Sequence, residues 1–415
     1  MHEILKKQKD LALTGMFSLL LLCWMISSCT NQDKTSENTY KMDLDFLKTH
    51  IRTIELSDSL HHSKLVVVPA WQGRVMTSTA SGDEGNSYGW INYKLLESGK
   101  KDTHFNAFGG EERLWLGPEG GPFSLYFAPG TAQKFQNWFV PPAIDINSFD
   151  VVEKTASSVK LKKQFTLKNY SGTEFNIAIE RVVKLIPKSE TIGTLGMAVP
   201  KGLKCVAYES SNILKNNGQN AWIKKSGLLS MWMLSMFSPS SGITVFIPYK
   251  EGSDNLLGTV VSTDYFGKIP PDRIKIELGT IYFKTDGKYR SKIGVSPKRA
   301  KEFLGSYDAI HHSLTILWVK KSDTPGDYVN SKWGNQDDPF NGDAINSYND
   351  GPTEDGTQLG PFYEMESSSP AAALKPGDSM VHTQRIFHFE GSEEDLNRIT
   401  EKVFGLKISK IKSVF

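Results

Sequence analysis

Cysteine is scarce: the 415-residue chain holds three, Cys23, Cys29 and Cys205. There is no CxxC and no Cys/His spacing of the zinc kind, and Cys205 lacks a partner once the leader is removed, so neither a structural zinc site nor a disulfide framework is expected. Cys205 reads as a buried, inert thiol. An excess of either charge is lacking as well. The 48 basic side chains face 46 acidic ones, for a formal net charge of +2, and no basic run marks a nucleic-acid footprint. The patterns GxSxG, HExxH, GxxxxGK[ST] and GxGxxG are missing, which removes the usual nucleophile elbow, zinc-protease helix, P-loop and dinucleotide turn. No internal repeat and no amphipathic helix long enough to build a parallel sheet can be found.

What is present begins with a leader. Lys6, Lys7 and Lys9 precede an apolar run from Leu11 to Ile26, which ends in Ser27-Ser28-Cys29. A basic segment, a short apolar segment and small residues make a secretory signal. The run falls short of the ~20 residues that span a bilayer, so an uncleaved anchor is the lesser reading. Ending on a cysteine, the leader resembles a bacterial lipoprotein signal, with Cys29 as the lipidated first residue of the mature chain. Acyl chains at ~0.8 kcal/mol per buried methylene would then hold the protein at a membrane of the cell envelope, periplasmic or surface-exposed. The expected organisation is a signal peptide over 1–28, a polar tether over 29–41 and one domain over 42–415.

That domain reads as all-β. Strands are expected at 64–68, 75–80, 159–167, 174–186, 204–208, 228–236, 242–247, 274–283 and 314–320, and at 362–366 and 380–389 near the end. Asn169-Tyr170-Ser171-Gly172 makes the turn of a hairpin. The alternation of 174–186 changes parity at Arg181, which reads as a bulge. Short helices are expected over 42–56, 297–304 and 392–404, the last with Ser392 as N-cap and Gly405 as stop. The fold class is a large antiparallel β-sandwich with a few peripheral short helices.

Three stretches carry side chains fit for chemistry. In Phe362-Tyr363-Glu364-Met365-Glu366, alternation puts Glu364 and Glu366 on one strand face, about 7 Å apart. Close carboxylates split their pKa values, leaving one protonated near neutrality, which suits proton transfer. The stretch Phe105 to Gly130 is dense in glycine and aromatic rings, the makings of tight turns over an aromatic core or of a pocket floor against which sugar faces stack. It holds Arg113, Trp115 and Glu119. The stretch Trp333 to Asp355 is rich in Asp and Asn, and includes Asn349 and Asp350. It reads as a long loop, open to three roles: solvated turns, a sugar-binding lip that also uses Trp333, or oxygen ligands for Ca²⁺, although EF-hand spacing is absent. Of the histidines, His311 and His312 open a strand, and His382 and His388 share a face of the last one.

The run Tyr363-Glu364-Met365-Glu366, with Leu374-Lys375-Pro376-Gly377-Asp378 and the strand ending His388-Phe389, resembles the C-terminal end of aldose 1-epimerases, the galactose mutarotases. Phe108-Gly109-Gly110-Glu111-Glu112-Arg113-Leu114-Trp115-Leu116-Gly117-Pro118-Glu119 resembles the Gly-Gly…Arg-Leu-Trp…Pro-Glu segment of mutarotase-like proteins. The mature chain is also similar to lipoproteins of glycan-degrading Bacteroidetes-type bacteria. The resemblance covers most of 60–390. It implies the mutarotase-like supersandwich, a late-strand glutamate (Glu364 or Glu366) as base, and Arg113 in a sugar pocket. It departs in one respect: the mid-chain histidine of mutarotases has no counterpart in Tyr208 to Gly218. His312 is the substitute acid expected from the sequence, with His311 and the second glutamate as alternatives.

These readings converge on a carbohydrate-active surface lipoprotein that binds a sugar or glycan, with aldose epimerase activity as the enzymatic reading. A non-catalytic glycan-binding lipoprotein of a polysaccharide-utilisation system and a glycoside hydrolase or lyase are the alternatives. No cofactor beyond the Ca²⁺ reading is expected, and the chain is expected to be a monomer.

Overall fold

A computed structural model describes residues 38–415 apart from 61, 323–325 and 354. The leader, Cys29 and the tether up to residue 37 lie outside the described residues. The first described element is α1, Tyr40–His50. Thr39 caps it by accepting from the Met42 N–H at 3.3 Å, and Tyr40, Leu44 and Leu47 turn inward. The helix stops well short of 56, because Ile51, Thr53 and Ile54 are β-branched and favour extended backbone.

The strands follow in chain order as β1 Ile54–Ser57, β2 Lys64–Val68 and β3 Arg74–Thr79. After α2 (Tyr93–Ser98) come β4 Arg113–Gly117, β5 Asp150–Lys154, β6 Ser158–Lys168 and β7 Glu174–Leu185. After α3 (Ile192–Leu195) come β8 Lys204–Asn216, β9 Ser230–Phe237 and β10 Ile243–Pro248. After α4 (Asp254–Leu257) the chain forms β11 Ile274–Glu277, β12 Thr280–Lys284, β13 Ser291–Val295, β14 Phe303–Asp308 and β15 Ser313–Val319. It closes with β16 Ile345–Asn349, β17 Tyr363–Ser368, β18 Ser379–Glu390, α5 Glu393–Phe404 and α6 Ile408–Lys412.

These strands make three sheets: β1-β2-β3, then the ten-stranded β11-β12-β10-β14-β15-β18-β8-β7-β6-β5, and the five-stranded β13-β16-β17-β9-β4. The ladders are antiparallel, for example β17 on β9, β18 on β8 and β6 on β7. The expected all-β antiparallel class is the observed one. The main core fills the space between the ten-stranded and five-stranded sheets, with Leu161, Ile177, Val206 and Ile386 on one side and Leu116, Met233 and Met365 on the other. A second core lies on the back of the large sheet, where Phe387, Phe389 and Ile316 meet Leu396 and Ile399 of α5 and Ile408 and Ile411 of α6. Helix α5 begins as its sequence implies: Ser392 accepts from the Asp395 N–H at 3.2 Å, and Gly405 at φ 69° ends it.

Three expectations fail for local reasons. No helix forms over 297–304; the residues turn and then open into β14. The strand expected over 274–283 is two strands, because Leu278 and Gly279, at φ 50° and 71°, make a tight hairpin turn. Arg181 is no bulge, since β7 pairs without register shift on both sides. Instead, Arg181 occupies an inward position, fully buried, and the alternation continues through it. Its guanidinium meets Glu112 at 2.5 Å and Asn212 Oδ1 at 2.7 Å, and Glu112 also receives Ser210 and Gln384 at 2.9 and 2.6 Å. At the far edge, β5 is exposed along its whole length, and its ladder with β6 shifts register between Val151 and Glu153.

Candidate functional site

The five-stranded sheet has an inner face, packed on the core, and an outer one. In β17, Met365 lies in the core and Tyr363 bonds Ser306 of β14 at 2.9 Å, so both point inward. Strand alternation therefore sends Glu364 and Glu366 to the outer face. The register gathers their neighbours. Glu364 stands opposite Tyr348 of β16, which in turn stands opposite Lys292 of β13. Glu366 stands opposite Leu234 of β9, and Leu234 opposite Arg113 of β4. Two residues further along the same strand pair, Trp232 stands opposite Trp115.

Each carboxylate has its own cation. Arg113 Nη2 donates to Glu364 Oε1 at 3.0 Å, and both groups are buried. Lys292 Nζ donates to Glu366 Oε2 at 2.9 Å, and Trp232 Nε1 donates to the same oxygen at 2.7 Å. The cations rest on rings: the Arg113 guanidinium lies 4.2 Å from the Trp115 ring centre, and the Lys292 ammonium 4.7 Å from that of Trp232. Several buried atoms here have no hydrogen-bond partner among the described residues: Arg113 Nε and Nη1, Trp115 Nε1 and Glu366 Oε1. Buried polar groups are nearly always paired, so donors and an acceptor left over on one patch mark a place for a polar ligand or water.

The electrostatics are uneven. Burial pushes the Glu364 carboxyl up to about 7, against the pull of Arg113 and with the help of Glu366. Burial works to lower the Lys292 ammonium, but the carboxylates of Glu366, Glu119 and Glu364 outweigh it and hold it above its ordinary value. Glu119, half-buried on the loop after β4, is held above the ordinary carboxylate range by burial, opposed by Lys292 and by the indoles of Trp333 and Trp138. The patch therefore combines a carboxyl poised near neutrality, a second carboxyl biased toward protonation and two fixed cations.

The expected site residues divide. Arg113, Trp115, Glu364 and Glu366 share the patch, and Glu119 and Trp333 stand at its side. Asp350 lies just beyond: it accepts from Tyr348 Oη at 2.8 Å and from the Gly360 N–H at 3.0 Å, and its charge helps raise Glu364. Asn349 is used up internally, accepting from the Gly287 N–H and donating to Tyr289 O, each at 2.8 Å. His312 is elsewhere. It sits exposed in the β14–β15 turn at φ 49°, beside Tyr307, which packs into the helix-covered core behind the large sheet. His311 shares that turn and bonds Asp308 at 2.6 Å. His382 and His388 share a face, as expected, but an inward one: they bond Ser367 and Glu111, each at 2.8 Å. The stretch 333–355 is not one loop, because β16 runs through it. Among the described residues, no group of three or more His, Cys, Asp or Glu is placed to hold a metal ion.

Lys292 and Trp232 were not legible as site residues. Lys292 interrupts a short apolar strand and Trp232 sits within Ser-Met-Trp-Met-Leu, a run that reads as core. Only the register of β13 and β9 on β16 and β17 reveals them. Tyr265 and Asp343 extend the patch past β13. They bond at 2.5 Å, and Asp343 fits because Gly294 lacks a side chain: a Cβ there would lie 1.9 Å from the carboxylate.

Several solved structures resemble the chain. A galactose mutarotase-like protein from Lactobacillus casei is 11% identical, covering 81% of this chain and 100% of its own, with a TM-score of 0.48. A galactose mutarotase-like protein from Clostridium acetobutylicum is 13% identical, covering 83% and 100%, with a TM-score of 0.45. A galactose mutarotase related enzyme from Lactobacillus acidophilus is 9% identical, covering 82% and 98%, with a TM-score of 0.46. No curated protein sequence matches the chain. The family model DUF6786, described as a family of unknown function, matches residues 38–415, and the chain belongs to that family.

Proposed function

We propose that the outer face of the five-stranded sheet binds a sugar, and that Glu364 and Glu366 exchange protons with it as in an aldose 1-epimerase. The observation that carries this reading is the pair of carboxylates, each clamped by its own cation over an indole, with unpaired donors and an unpaired acceptor on the same residues. Sugar hydroxyls both donate and accept, and sugar ring faces pack on aromatic rings, so such a patch matches a polyol.

In the enzymatic form, Glu364 takes the proton of the anomeric hydroxyl as the ring C–O bond breaks. A second acid protonates the ring oxygen, the aldehyde turns about its C1–C2 bond, and the ring closes on its other face. Glu119, biased toward the protonated state by burial, has the character such an acid needs. Arg113 orients Glu364 and offers two further N–H groups to the substrate. A hydrolase fits less well. Glu364 and Glu366 lie side by side on one strand, whereas retaining hydrolysis needs carboxyls ~5–5.5 Å apart on either side of the sugar. A binding role without turnover is favoured by one observation: His311, His312, His382 and His388 lie away from the patch, in the β14–β15 turn or between the sheets.

Anomer exchange of hexoses, pentoses and uronic acids, followed by polarimetry and NMR, decides between the two. Acceleration over buffer that disappears in Glu364→Gln supports the epimerase; binding by calorimetry without acceleration supports the binding role. Neither result with any sugar overturns the reading. We further propose that Cys29 carries the lipid that holds the chain at the cell envelope. Labelling with a radioactive fatty acid is expected to mark the wild-type chain and not Cys29→Ala.

A further inference from the structure

The patch does not end at Trp115. A continuous series of rings leads away from it toward solvent. Phe105 packs edge-on against both Trp115 and Trp138, with centroids 5.2 and 5.9 Å apart. Beyond them, Trp138 and Phe135 lie nearly parallel, 6.1 Å apart and 19° from coplanar. His104 follows, parallel to Phe135 at 5.5 Å and to Phe139 at 4.1 Å. Phe135 and Phe139 are 55% and 43% exposed, high values for rings in ordered stacks.

The segment that carries these rings is fastened. Phe139 N–H donates to Tyr126 O at 2.9 Å, Val140 N–H to His104 O at 2.8 Å, and His104 Nδ1 meets Trp138 O at 2.7 Å. Gln133 ties the same segment to two others, pairing with Gly121 and accepting from the Gly334 N–H at 2.8 Å. Exposed rings on a pinned segment cost apolar exposure without gaining burial, and an exposed apolar cluster of this kind marks a contact surface. Flat rings held in place lose little freedom when a ligand stacks on them.

From this geometry we propose that His104, Phe135 and Phe139 form a second sugar position, so that the ligand is an oligosaccharide rather than a free monosaccharide. One unit lies at Arg113 and Glu364, and the chain of the glycan runs out over the parallel rings. This rests on the sugar-binding reading of the Arg113–Glu364 patch. Continuity with that patch and parallel ring planes favour a sugar ring over other occupants.

The test is calorimetry on the full mature chain with gluco-, galacto-, manno- and xylo-oligosaccharides of increasing length. The wild type and the Phe135→Ala/Phe139→Ala double variant are compared, the variant first checked for an unchanged thermal midpoint. In the wild type, affinity is expected to rise with ligand length. In the variant, the gain is lost, about thirtyfold at an aromatic worth of ~1 kcal/mol for each of the two rings, while monosaccharide binding stays within about twofold. Phe135→Trp restores the length dependence. An unchanged length dependence in the double variant overturns the second position and leaves the first intact. Sedimentation with anionic vesicles that is lost in the variant, with sugar binding unaltered, assigns the rings to a membrane and equally overturns it. A wild type that binds no saccharide of any length removes the sugar-binding reading itself.

Discussion

Glu364 is a residue of the patch whose charge the fold disturbs. Its buried carboxyl is raised to about 7, above the ordinary 4.5, so its protonated form favours the folded state. That contribution is present in full below pH ~4.5 and is lost as pH rises through about 7. In the proposed role of base, Glu364 must be ionised, so anomer exchange is expected to rise through the same range. A pH–rate profile with a midpoint near 7 that disappears in Glu364→Gln, together with a smaller fall in thermal midpoint between pH 5 and 8 for that variant, checks both statements. Arg181 and Glu112 are a different case, a wholly buried ion pair. Removing one partner strands the other, and Glu112→Gln is expected to cost about 3–5 kcal/mol in urea unfolding. Replacing both with methionine is expected to cost less than the single change. The sequence showed Arg181 as a break in an alternating pattern. A strand pattern registers that a polar residue occupies an inward position, but not which distant carboxylate answers it.

Among the elements, β4 shows most clearly how local sequence serves the site. Its side chains alternate between Arg113, which faces the outer patch, and Leu114, which packs in the core. Glu111 and Glu112, just ahead of it, reach between the sheets. The strand can start there because Gly109, at φ 91°, passes so close to Trp90 that an added Cβ would lie 2.1 Å from its carbonyl oxygen. Gly109→Ala is expected to destabilise the fold by at least ~1–3 kcal/mol from backbone strain alone, and to displace Arg113. Thermal melts and the sugar affinity of the variant report the two effects. At the other end of the chain, Ser392→Ala removes the cap of α5 and is expected to cost ~1 kcal/mol. Strands and caps of this kind were legible because they depend on residues within a few positions of one another. The partnership of Arg113 with Glu364 was legible only through a resemblance of two motifs. Lys292 and Trp232 depended on strand order, which no local pattern records.

On the scale of the whole molecule, two sheets enclose the main core and the last 24 residues, 392–415, close a second one. Phe387 and Phe389 of β18 and Ile316 of β15 pack beneath α5 and α6. A chain ending at Gly391 is therefore expected to expose that face and to aggregate, as light scattering during expression and refolding would report. The first core would survive such a cut in composition, but not in solubility. The stretch 333–355 was misread at this scale as one loop: β16 runs through it and carries Asn346 and Asn349. The outermost strand of the large sheet has a consequence of its own. Every residue of β5 faces water, its pairing slips between Val151 and Glu153, and Asp150, Glu153 and Lys154 stud its length. A second copy approaching that border would meet a kinked, charged ribbon with which it cannot keep register, and runaway strand addition between copies is blocked where a ten-stranded sheet is most open to it.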